Sequence, residues 1–253
     1  MKKLSTINHV PVLIFPEPTE MGQAAADFVT EKLHEAIQAR DVAHLVLATG
    51  ASQFTFLEAL QQKDIDWQKV IVFHLDEYQG MSDTHPASFR RYLKERILDR
   101  VNPRRIYFLN GDADDLEQEM NRYQRALEEH PIDIACIGIG ENGHIAFNDP
   151  PVADFNDPKR VKLVALDEAC RRQQLGEGWF PTLDDVPKEA LTLTIPAILA
   201  SQTISCVVPD QRKAQAVHDA LYADVSTRCP ATILRTHSDV RLFLDQAAAS
   251  KIN

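Results

Sequence analysis

The stretch IDIACIGIGENGHIAFNDP, residues 132–150, decides the fold. Residues 132–139 are apolar except for Asp133. So short a run, apolar on both faces and closed by glycines, reads as a strand buried in a parallel sheet covered on both sides. The rest is a glycine-rich loop carrying His144 and Asp149. In open sheets of this kind ligands sit beyond the carboxyl ends of the strands, so this loop is where chemistry is to be sought.

The same grammar repeats outward from it. Residues 44–48 (HLVLA) are followed by the turn Thr49-Gly50-Ala51-Ser52 and a helical pattern over 54–60. Residues 69–75 (KVIVFHL) run into Asp76-Glu77-Tyr78. Further strands are expected at 10–15, 105–109, 203–208, 231–235 and 240–244. Met21, Ala25, Phe28, Val29, Leu33 and Ile37 recur at spacings of three and four, which predicts a helix with Thr19 as its N-cap. Other helices are expected at 86–98, 112–129, 195–200 and 211–221, whereas 150–187, with Pro and Gly at intervals, reads as irregular. Alternating strands and helices make an α/β protein, a mostly parallel sheet flanked by helices. With no repeat or linker in view, the expectation is a single domain over 1–253.

Composition narrows the function. The net charge of −10 argues against nucleic acid, whose binders neutralise phosphates with a basic face. No apolar run approaches the ~20 residues needed to span a bilayer, and no signal-peptide pattern follows the start, so a cytoplasmic protein without membrane contact is expected. Cys136, Cys170, Cys206 and Cys229 show neither C-x-x-C pairing nor zinc-ligand spacing, which reads as reduced thiols and no metal site.

Four loops carry the candidate chemistry. The 49–52 turn opens a helix, so its unpaired N–H groups and two hydroxyls suit a phosphate, though a plain strand-to-helix turn would look the same. Asp76 directly follows an apolar strand; partial burial there would make it a stronger base, unless the loop is solvated. Gly138, Gly140 and Gly143 match G-x-G-x-x-G, but no long helix follows the third glycine and the strand lies past the middle of the chain. Close backbone approach to a substrate fits them better than a dinucleotide. His144 stands just past these glycines. Lys213, opening a helix after residues 203–208, opposes the helix dipole unless an anion is near.

Together these stretches resemble the glucosamine-6-phosphate deaminase family, which shares a fold with the 6-phosphogluconolactonases. The matching pieces are LATGAS at 47–52, FHLDEY at 73–78, HPASF at 85–89, IGIGENGHIAFNDP at 137–150, VPKEALTLTIPAIL at 186–199 and KAQAV at 213–217. Tyr78 and the Phe147–Pro150 segment favour the deaminase branch. The resemblance implies a Rossmann-like three-layer sandwich and an enzyme without cofactor, a hydrolase and aldose–ketose isomerase acting on a hexosamine 6-phosphate. It implies that His144 opens the sugar ring, that Asp76 moves the C2 proton to C1, and that Thr49, Gly50, Ala51, Ser52 and Lys213 hold the phosphate, with a second cation for which Arg171 and Arg172 are the candidates and Arg172 is taken. Family members range from monomers to hexamers, so a homo-oligomer stays open.

Two positions depart from the family pattern. Asn142 stands where an aspartate is usual, and Asp149 where a glutamate is usual. These residues orient the histidine in the family, so a weaker charged partner for His144 and a different amino sugar, such as galactosamine 6-phosphate, enter the expectations. A lactonase and a non-catalytic sugar-phosphate sensor are the alternatives. Pro151, Val152 and Ala153 replace a serine pair that some members use for allostery, so no allosteric site is expected.

Overall fold

The computed structural model describes residues 3–252. Its main sheet has eight strands in the order β1-β2-β11-β10-β7-β3-β4-β6. In chain order these are β1 (Lys3–Ile7), β2 (Val10–Phe15), β3 (Ala43–Leu47), β4 (Val70–His74), β6 (Arg105–Ile106), β7 (Ile134–Ile137), β10 (Thr203–Val208) and β11 (Val240–Asp245). Only β1 runs antiparallel to its neighbour. A second, antiparallel sheet joins β5 (Asp76–Tyr78), β9 (Glu189–Leu193) and β8 (Val161–Ala165) in the order β5-β9-β8.

Strand side chains alternate between two apolar layers, as the period of two demands. Leu45, Leu47, Val70, Val72, Ile134 and Cys136 pack under α1 (Pro18–Arg40), α2 (Phe54–Leu60) and α3 (Phe89–Leu93). The last continues through a π-type turn, Lys94–Leu98, into α4 (Asp99–Val101). Val46, Ile71, Phe73, Ala135 and Ile137 pack against α5 (Leu116–Glu129), α7 (Ile195–Leu199) and α8 (Ala214–Tyr222). That is a three-layer α/β sandwich, and no helix among the described residues is long and apolar enough to cross a membrane. The predicted stripe on α1 buries Phe28, Val29 and Leu33, each worth about 1.5–3 kcal/mol. Gly22 lets α2 touch this helix: a Cβ there would lie 2.5 Å from the backbone of Thr55.

Several local expectations fail for identifiable reasons. Thr19 is not a cap; α1 starts at Pro18, and Glu17 is the extended N-cap without a side-chain capping bond. Proline suits that first position because it has no N–H left to satisfy. Residues 231–235 form no strand but part of a 3-10 helix, Pro230–Thr236. Pro230 opens it, and Thr232 bonds back to the carbonyl of Cys229 at 2.7 Å. The region 150–187 is not irregular throughout: it holds β8 and helix α6 (Glu168–Gly176). Only Cys170 and Gln174 of α6 are buried, a stripe too thin to show as periodicity.

Candidate active site

Strands β10, β7, β3 and β4 are adjacent and parallel, so their carboxyl ends emerge along one edge of the sheet. The chain leaves β3 for β4 and β6, then returns to place β7 on the other side of β3. That reversal is a switch point, where the loops on either side diverge and leave a crevice. A cleft of about 550 Å³ opens there, lined by Thr49, Gly50, Ala51, Ser52, Asp76, Gly138, Gly140, His144 and Lys213 among others. The walls are close: a side chain on Gly138 would start 3.5 Å from Ser52 Oγ.

At one end the 49–52 turn presents its backbone from a glycine at φ +90°. Lys213 is only 6% exposed, and among the described residues no carboxylate pairs with it directly. Burial holds its ammonium below the usual lysine value although Glu141 and Glu177 pull the other way. The cleft therefore keeps a desolvated cation in want of an anion. Arg172 is not part of this end. Its side chain is 64% exposed and pairs with Glu168 at 2.5 Å on the outer face of α6. Helical spacing explains the displacement, because i,i+4 partners meet on the surface while the cleft-facing residues of α6 are Gln173 and Gln174. Arg212, not singled out from the sequence, lines the cleft and is tied to Asp210 at 2.8 Å.

Asp76 opens β5 rather than lying in a loop, because the second sheet pairs it with Thr192. It is buried, and among the described residues no side chain hydrogen-bonds its carboxyl. Burial first, and the neighbouring charge of Glu77 second, push its pKa well above the ordinary carboxyl range. Glu77 points away into the protein. Its carboxylate accepts from Ser88 Oγ (2.8 Å), from the backbone N–H of Tyr78 (3.0 Å), Phe89 (3.2 Å) and Arg90 (3.1 Å), and from Arg90 Nε (3.2 Å).

His144 is held from behind. Its Nδ1 lies 2.7 Å from Asp149 Oδ1, while nothing among the described residues hydrogen-bonds Nε2. Gly140 and Gly143 make this packing feasible. A Cβ on Gly140 would sit 2.3 Å from the imidazole, and Gly143 adopts φ +83° with Cys229 Sγ 2.5 Å from where its Cβ would be. Asn142 lies behind the histidine too. It accepts from the His144 backbone N–H (3.0 Å) and donates to Asp149 Oδ1 (2.9 Å). The charged partner of His144 is therefore Asp149, and Asn142 orients that carboxylate. Burial would raise the Asp149 pKa, but His144, Asn142 and Cys170 together outweigh it and hold the group below its ordinary value.

One trio among the described residues, His144, Asp149 and Cys170, brings three potential metal-ligand atoms within 4.8 Å of one another. Burial, then the charge of Asp149, keeps the Cys170 thiol protonated, which suits a hydrogen bond to Asp149 rather than metal ligation. All four cysteines are free thiols.

Glu177, Gln173, Gln174 and Asp245 also line the cleft and escaped the sequence reading. The first three belong to α6 and its end, whose helical signal was too thin; Asp245 sits at the end of a strand that was predicted, and its position was the available clue.

Comparison with known proteins identifies the family. Residues 16–243 match the family model of glucosamine-6-phosphate isomerases/6-phosphogluconolactonase. The chain is 34% identical to a glucosamine-6-phosphate deaminase of Oenococcus oeni over 234 residues, 92% of this chain and 95% of that one. It is 37% identical over 207 residues to one from Exiguobacterium sibiricum, 82% and 80% of the respective lengths. Among solved structures, a monomeric glucosamine-6-phosphate deaminase superposes with a TM-score of 0.86 at 33% identity, covering 94% of this chain and 98% of that one. A 6-phosphogluconolactonase from Shewanella baltica shares the fold, with a TM-score of 0.77 at 23% identity over 95% and 100% of the two chains. A cleft built at this switch point, from these loops in this order, and matches of that length have one common reading: the chain belongs to the family of glucosamine-6-phosphate isomerases and 6-phosphogluconolactonases.

Proposed function

We propose that the chain is an amino-sugar 6-phosphate deaminase/isomerase, converting glucosamine 6-phosphate or a close epimer to the ketose 6-phosphate and ammonium. The observation that carries this is Asp76: a buried carboxyl to which no side chain among the described residues hydrogen-bonds, lining the same cleft as a histidine backed by Asp149. A burial-raised carboxylate is the stronger base that abstraction of a carbon-bound proton requires. The deaminase names of relatives at 32–37% identity support the same reading.

In this scheme the phosphate rests on the 49–52 turn and Lys213, which fixes the sugar and makes the later proton transfers effectively intramolecular. His144, with Nδ1 against Asp149, uses Nε2 to move a proton from the anomeric hydroxyl to the ring oxygen, and the ring opens to the aldehyde. Asp76 takes the proton from C2, giving an enol-amine, and returns a proton to C1. Water adds to the resulting C2 imine, the C–N bond breaks, and ammonia leaves with a proton as ammonium. Asn142 is a positioning residue for Asp149.

The test is ammonium release together with fructose 6-phosphate or tagatose 6-phosphate formation from glucosamine and galactosamine 6-phosphates. One of the two is expected to turn over. Folded protein inert toward both, yet hydrolysing 6-phosphogluconolactone, would replace the proposal with the lactonase reading.

A further inference from the structure

Glu177 is a cleft residue to which the reaction assigns no task. It follows α6 and stands beside the 49–52 turn: the point where a side chain on Gly50 would begin is 3.6 Å from its Oε2. Its Oε1 accepts from Gln173 Nε2 at 3.2 Å. Among the described residues nothing hydrogen-bonds its Oε2, which is buried in the present side-chain arrangement. From the neighbouring elements, Lys213 and Arg212 feel its charge beside those of Glu141 and Asp210, and the phenols of Tyr78 and Tyr92, kept protonated by burial, feel it from the other side.

A carboxylate at a phosphate cradle poses a definite physical problem. Ionised carboxylate and dianionic phosphate are both acceptors only, and side by side they repel. A single proton between them turns the repulsion into a short charge-assisted O–H···O bond. We propose that Glu177 is a selectivity residue that demands a proton on the bound oxyanion, so that the cleft accepts a phosphate monoester and rejects a sulfate ester, which has no proton to share near neutral pH. This rests on the assignment of the 49–52 turn and Lys213 to the substrate phosphate.

The test is calorimetric titration of the chain with glucose 6-phosphate, which has no amino group to lose, and with glucose 6-sulfate, from pH 6 to 8.5. A phosphate monoester loses its second proton near pH ~6. Above that pH the wild-type affinity for the phosphate ester is expected to fall, approaching about tenfold per pH unit for one retained proton. Titration in buffers of different ionisation heat should then register proton uptake. The sulfate ester is expected to bind at least about tenfold more weakly at pH 6, the mark of a missing hydrogen bond at a charged group. In Glu177→Gln the amide donates to either ester, so both the pH dependence and the phosphate preference should fade. Wild-type affinity that rises with pH, or a phosphate-to-sulfate ratio indifferent to Glu177→Gln, overturns the proposal and leaves the phosphate site standing. No binding of glucose 6-phosphate at any pH overturns the phosphate site and the proposal with it. The wild-type readouts stand even if the variant fails to fold.

Discussion

Strand β5 divides two regions that treat a carboxylate in opposite ways. On the side of α3, Glu77 receives five hydrogen bonds, one of them from the guanidinium of Arg90, which also reaches the Met81 carbonyl and Asp112. On the cleft side, its neighbour Asp76 is buried too, and among the described residues no side chain donates to it. Burial raises the pKa of both, but the donors around Glu77 oppose the rise while nothing opposes it at Asp76. The lesson is that burial alone does not mark a functional acid. A buried acid with its acceptors filled ties the backbone together, whereas one left bare is poised to take a proton.

The contrast breaks most sharply at Asp76. Asp76→Asn is expected to lower turnover by about 10²–10⁴-fold, the range for loss of a general base, as read by ammonium release. The same change should not weaken the fold. Because the folded-state pKa of Asp76 lies above the ordinary 3.8, its stability contribution is fully present below that pH and is lost as pH rises through the folded value. Asparagine mimics the protonated form. Its melting temperature should therefore exceed that of the wild type at neutral pH, by about 2–4 °C per kcal/mol recovered, and the gap should close near pH 3. For the same reason the acidic limb of kcat/KM should lie well above pH 3.8.

Glu77→Ala tests the other side. It takes from the buried Arg90 guanidinium one of its two carboxylate partners, Asp112 remaining, and leaves the Ser88 hydroxyl and the backbone N–H of Tyr78, Phe89 and Arg90 without their acceptor, so it should cost about 3–5 kcal/mol in urea unfolding. An unfolding midpoint unchanged by this substitution would end the structural reading of Glu77. The smallest expected effect belongs to Arg172→Ala. Its partner Glu168 is 67% exposed, so both stability, within about 0.5 kcal/mol, and KM for the sugar phosphate should stay as they are. A KM rise of tenfold or more would return Arg172 to the phosphate site.

Legibility in the sequence followed the strength of the local signal. The strand at 203–208 and the helix at 54–60 appear with the predicted bounds, because a short apolar run flanked by turn residues, and an apolar stripe after one, are local patterns. The turn 49–52, Asp76, His144 and Lys213 were legible because each sits where an apolar strand ends. Strand β5 was not, since DEY pairs only through β9, more than a hundred residues onward. Nor was Glu177, which reaches the cleft through a helix with two buried residues. The place of Asn142 was legible only in part: its type tells that it carries no charge and can accept a hydrogen bond, as it does from the His144 backbone, but not that its amide would turn toward Asp149.

The amino-acid order by itself determined the layered α/β architecture, the loops that could bear chemistry and the family resemblance, since periodicity, glycine placement and motif spacing are properties of neighbours along the chain. Tertiary structure alone decided which acid of an adjacent pair stays bare, which arginine faces the cleft and where the amide of Asn142 points. Those outcomes depend on desolvation and on donors brought in from distant strands and helices, quantities that come into being only when the chain has closed on itself.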